Sequence, residues 1–181
     1  MGITRQFQTY YAISLVHHVE SWGGVDYNEI LSTDYMDTDL ISTVSTAAST
    51  LDFIYPSIYK NKYYLDGIAT GHFTLYNNNH STSTATVSSY TISLLKTEDV
   101  PLATTVLGSV TETLSSDNTI PPENYLTLPI FMILDKALVE AGEKLILRIE
   151  YTSTGGDMCI MHDNDSTEED TMIELPYYQG G

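Results

Sequence analysis

The chain has 181 residues, and its 24 acidic against 7 basic side chains leave a formal charge of −17. That sign repels bare nucleic acid, whose binding relies on Lys and Arg displacing counterions from phosphate, and it repels anionic membrane surfaces as well. The length suits a single domain, charged residues are only 17%, so hydroxyls and carboxylates must carry solubility, and the single cysteine, Cys159, excludes an intrachain disulfide.

In chain order, the opening MGITRQFQTYYAISLV falls short of a signal peptide, with one Arg, a brief apolar stretch and no small-residue cleavage pattern. Gln6 stands where a myristoylation motif needs Ser or Thr. No apolar run approaches the roughly 20 residues that cross a bilayer as a helix. From Glu20 to Asp52 there are seven acids and no base, a pattern of solvated loops. Val25–Leu31 could form a helical turn or two. A run around Phe73 and Leu75 closes at Asn77-Asn78-Asn79. Period-two alternation then sets Tyr90, Ile92 and Leu94 on one face. It sets Val106, Gly108, Val110 and Leu114 inward against Leu107, Ser109, Thr111 and Thr113.

Pro121-Pro122 marks a loop, after which Leu126, Leu128, Ile130, Met132 and Leu134 form another inward row. Lys136–Glu140 is a second short helix candidate, and Ala141-Gly142-Glu143 is a turn. In the next run Leu145, Leu147, Ile149 and Tyr151 face the core and Ile146, Arg148, Glu150 and Thr152 mostly face solvent. Thr154-Gly155-Gly156 reads as a hairpin turn leading into Asp157–His162. The last predicted strand is Thr171–Leu175, which leaves Pro176–Gly181 as a tail outside the core, available for contact with a neighbour. After Arg148 there are eight further acids and no base.

Short alternating strands at intervals of about 8–12 residues predict an all-β fold, an antiparallel β-sandwich of jelly-roll type with little helix. No internal repeat or Gly/Ser linker divides the chain. Residues 1–181 are expected to form one sandwich domain with extended N- and C-terminal segments.

Asp163-Asn164-Asp165-Ser166-Thr167-Glu168-Glu169-Asp170-Thr171-Met172-Ile173-Glu174 places oxygen ligands, among them Asp163, Asp165, Thr167 and Glu174, at calcium-loop spacing. Glu168 replaces the glycine at its sixth position, and the flanks read as strands, so an acidic solvated loop is the preferred reading and no metal is assigned. His17 and His18 are adjacent, so on a strand they point to opposite faces and do not share an ion easily. No G-x-S-x-G elbow, phosphate loop or dinucleotide fingerprint is present, so no catalytic residue and no cofactor is predicted. Cys159 reads as a small core residue with no base beside it to activate its thiol. Tyrosine is the unusual residue, with 14 copies. The pairs Tyr10-Tyr11 and Tyr177-Tyr178 would show one ring to each face of a strand and are the candidate interface residues, core filling being the alternative.

The stretches Gly67–Asn77, Val87–Leu95 and Val139–Ile149 resemble the jelly-roll sandwiches of capsid decoration and auxiliary proteins of tailed viruses. They are also similar to trimeric modules of the C1q and tumour-necrosis-factor kind, in which a Gly-acid-Lys turn opens a long strand. The resemblance covers roughly residues 67 to 151. It implies a non-enzymatic virion protein bound on the outer capsid surface and assembled in the host cytoplasm. Its partners would be other capsid proteins and further copies of itself, a trimer being favoured, with neither nucleic acid nor membrane bound. Charge agrees with the outer side, since a protein at −17 facing packaged DNA would be repelled. The alternative is a carbohydrate-binding module or adhesin of the same architecture, with Trp22 beside Gly23-Gly24 as a sugar anchor. A small hydrolase is the third class.

Overall fold

The computed structural model describes residues 5–14, 20–22, 25–27, 29–33, 42–45, 50–55, 62–78, 83–97, 104–162 and 171–179. Fourteen strands follow one another: β1 Gln6–Ser14, β2 Glu20–Trp22, β3 Val25–Tyr27, β4 Glu29–Ser32, β5 Ser42–Ser45, β6 Thr50–Ile54, β7 Tyr63–Asn77, β8 Ala85–Thr97, β9 Thr104–Thr113, β10 Thr119–Ile120, β11 Tyr125–Val139, β12 Lys144–Thr154, β13 Met158–His162 and β14 Met172–Gln179. No helix occurs among the described residues. The two helix candidates are strands instead: Val25–Leu31 contributes β3 and β4, and Lys136–Glu140 lies mostly inside the end of β11. Five to seven residues cannot offset the cost of nucleating a helix when a neighbouring strand offers backbone groups a partner.

Two antiparallel sheets pack face to face. One runs β9-β8-β12-β6 and the other β1-β14-β7-β11, with β4 bridging them by antiparallel pairing to β1 and a single parallel contact, Ile30 to Ile54, with β6. The inward rows meet as alternation requires: Phe73, Leu65 and Leu75 from β7, Ile92 and Leu94 from β8, Leu147 and Ile149 from β12, and Met132 and Leu134 from β11 are all buried. The Phe73 and Tyr90 rings, 5.1 Å apart and edge to face, join the two layers.

Three local expectations are corrected. Thr154-Gly155-Gly156 is not a hairpin. β12 pairs with β8 and β6, whereas β13 pairs with β7 and β5, so the turn carries the chain from one sheet to the other. Positive φ at Gly155 (73°) and Gly156 (68°) lets it fold tightly there. In β9 the faces are exchanged at one end. A bulge pairs Leu94 with Gly108 and Leu95 with Val106, skipping Leu107, so Leu107 is buried while Val106 is 59% exposed. The chain's last segment is also part of the sheet. β14 continues through Pro176, Tyr177 and Tyr178, with Gln6 opposite Tyr177 and Phe7 opposite Pro176 on β1, and Tyr178 opposite Tyr64 on β7.

Polar groups inside the fold are held rather than stranded. The fully buried Asn77 amide donates to the carbonyls of Ser83 and Ile120, each at 3.0 Å, and its Oδ1 accepts from the Asp157 N–H at 3.0 Å. Lys96 Nζ donates to both Glu143 carboxylate oxygens (2.9 and 3.0 Å) and to the Leu138 carbonyl (2.8 Å), while Glu143 also accepts from the Glu140 N–H. This cluster fixes the turn between β11 and β12. Arg148 and Asp52, directly opposite on β12 and β6, form two bonds of 2.7 Å.

Candidate interaction surface

The site is built on β11, whose sequence Leu126-Thr127-Leu128-Pro129-Ile130-Phe131-Met132-Ile133-Leu134 is apolar in both rows. The inward row fills the core. The outward row should be polar on a solvated sheet face, yet it carries Phe131 at 60% exposure and Ile133 at 69%. Ile133 lies directly opposite Ile68 of β7, itself 42% exposed. Farther across the sheet Pro176, in the bulged stretch of β14 alongside β7, is buried, and its direct partner, Phe7 of β1, is exposed.

The apolar stripe borders the open seam of the sandwich. Among the described residues β9 pairs with β8 alone and β11 with β7 alone, so these two strands face each other across the open seam of the two sheets. At Gly108 they approach so closely that a Cβ there would stand 2.5 Å from Leu134 Cδ2 and 2.9 Å from the Ile133 carbonyl oxygen, and only glycine fits. Beyond the bulge the exposed Val106 stands opposite Leu95 on the outward side of its own sheet, the face that also carries Thr152, and so lies apart from the Phe131 and Ile133 stripe. Toward the other end the seam opens into a groove of about 240 Å³ lined by Tyr90, Val110, Glu112, Leu114, Leu128, Pro129 and Phe131. The Tyr90 hydroxyl donates to the Pro129 carbonyl at 3.1 Å. Burial first, then the nearby Glu112 carboxylate, raises its pKa above the ordinary 10.0, so it is a neutral donor.

Charges ring the apolar row. Arg5 Nε donates to the Tyr178 hydroxyl at 2.6 Å with its guanidinium 5.4 Å from that ring, and Lys136 Nζ lies 5.2 Å from the Tyr64 ring. Asp66, Asp135 and Glu174 share the same strands, Glu174 opposite Thr70.

The four tyrosines of the predicted interface fall in different places. Tyr10 is buried, edge to face with Tyr55 at 5.0 Å, and Tyr177 turns toward Tyr63 at 6.4 Å and packs against the core. Tyr11 and Tyr178 lie on the opposite, outward side of their strands, half-buried. Asp163, Asp165 and Thr167 of the calcium-like spacing lie outside the described residues, and Glu174 sits inside the β14 ladder. Among the described residues no three His, Cys, Asp or Glu side chains are grouped to hold a metal ion. Trp22 is in β2, and its side chain lies outside the described residues. Sequence reading missed Phe7, Ile68, Phe131 and Ile133. The signal for two of them was present: a strand apolar in both rows needs either a second layer or a contact.

No family model matches the chain, and no curated protein matches it. Solved structures do. An aminopeptidase from a marine sediment Thaumarchaeota archaeon is similar over 97% of this chain and 37% of its own, with a TM-score of 0.63 and 8% identity. A CocE/NonD family hydrolase from Staphylococcus aureus is similar over 97% and 37%, with a TM-score of 0.62 and 8% identity. The chain therefore spans little more than a third of these proteins. The Eiger TNF from S. frugiperda is similar over 97% and 93% at 10% identity, but its TM-score of 0.40 carries no argument. At such identities the likeness is one of fold alone. It nevertheless corrects the expectation of a non-enzymatic setting, because the aminopeptidase and the CocE/NonD family hydrolase carry a sandwich of this fold.

Proposed function

We propose that this protein is a subunit of a larger protein assembly, joined to it through the outward face of β11 and its neighbours. Decoration of the outer surface of a virion shell is the setting that the jelly-roll resemblance implies. The observation that carries the reading is the contiguous apolar row Ile68, Phe131 and Ile133 on a face where alternation calls for polar residues. Burying such a patch gains roughly 25 cal/mol per Å² of apolar area, and exposed patches of this kind mark contact sites. The charge supports an outer position, since −17 is tolerated in solvent and repelled by packaged nucleic acid. Size fractionation of native source material tests the reading. The protein should travel with a particle far heavier than its own 20.1 kDa and be labelled by antibody on the intact particle. Recovery solely as the free chain would refute it.

A further inference from the structure

Resting on the assembly reading, we infer that the partner on this face is a second copy of the same chain. The argument is one of charge and area. A foreign partner selected by the field of a −17 molecule would be basic and would be drawn to its acid-rich surface. The β1-β14-β7-β11 face is the opposite kind of surface. Two of the chain's 7 bases, Arg5 and Lys136, stand at its rim with Asp66, Asp135 and Glu174, so both signs are present and nearly balanced. Two copies that repel everywhere else can approach here, the cationic rim of one meeting the acids of the other.

The area is of the right size. Phe7, Ile68, Phe131 and Ile133 are between 42% and 69% exposed. For side chains of their size this leaves roughly 400 Å² of apolar surface. With a polar rim that is the apolar share expected of a patch of about 700 Å², within the range that one partner contributes to a stable interface. The contact is through the face and not through the strand edge. Pro129 in the middle of β11 has no N–H to offer a further strand, so joining the sheets edge to edge is blocked.

Sedimentation equilibrium of the full chain, with Phe131→Glu and Ile133→Glu as separate variants, is the experiment. Both side chains point outward, so circular dichroism should be unchanged while self-association weakens by at least about 30-fold, the loss typical of a contact hot spot. Association of the parent chain should tighten with added salt as like charges are screened. Independently, Ile133→Cys should be cross-linked between copies by a short bis-maleimide, because the native Cys159 is buried. Thr152→Cys, exposed on the far sheet, should not. A monomeric parent chain at every salt concentration, variants of unchanged mass, or equal cross-linking at both positions would overturn the inference. If the chain alone is monomeric yet binds isolated particles in a manner lost in Phe131→Glu, the face contacts a different protein: the assembly reading stands and the self-contact falls. If it neither self-associates nor binds particles, both fall.

Discussion

Asn77 is a short side chain with a long reach. Its one amide bridges the segment at Ser83, the start of the loop after Ile120 and the turn before β13, so three connections share a single anchor. Asn77→Ala should leave two carbonyls and one N–H without their partner and cost about 2–4 kcal/mol, read as a lower midpoint in urea unfolding. Tyr151 makes a different residue-scale statement. Burial, then the neighbouring Cys159 and Asp157, pushes its pKa far above the ordinary 10.0. The unfolded chain therefore releases this proton first, and the contribution of Tyr151 to stability is whole below about pH 10 and is lost as pH rises above it. Alkaline unfolding should begin in that range, with phenolate absorbance appearing together with loss of β-sheet signal. Tyr151→Phe should reduce the pH dependence, and an unchanged profile would show that other groups govern it.

At the scale of the element, β9 shows where alternation stops being sufficient. Val106, Gly108, Val110 and Leu114 keep strict period two in the sequence, and the pairing with β8 interrupts it by one residue at Leu107. A bulge is fixed by the partner strand and has no local signature, so the exchange of faces was not legible. Leu107→Asp should unfold the protein or lower its melting temperature severely, because it buries an unpaired carboxylate, while Val106→Asp should leave the fold intact. The pair is read by thermal melts. The inward rows of β11 and β12 were fully legible, since Leu126 to Leu134 and Leu145 to Tyr151 alternate without interruption where the core needs them. The outward row of β11 was legible only in part. Phe131 and Ile133 were visible as misplaced apolar residues, but Ile68 and Phe7 join them through pairing between strands distant in sequence. β14 carries a related correction. The segment Pro176–Gly181 reads in the sequence as a tail outside the core, but its residues 176–179 pair with β1 and β7 and Pro176 is buried. The truncated chain should lose several kcal/mol of stability in chemical denaturation, and a melting curve equal to that of the parent would restore the tail to a peripheral role.

For the whole molecule, the relevant fact is that the ends of the fold are neighbours: β1 enters the sheet where β14 leaves it, with Gln6 beside Tyr177, and the two strands run antiparallel. That arrangement decides how the protein responds to being pulled. A load applied between the two ends acts at one end of the ladder, so it opens the hydrogen-bonded pairs one after another, as a zipper does, instead of shearing them all together. Resistance to stretching along the chain is therefore low, however stable the core. A load borne across the β11 face bypasses this weak line, because it reaches the chain through side chains anchored in the middle of long strands. A chain held by that face can be mechanically firm while the ends of the fold carry no tension.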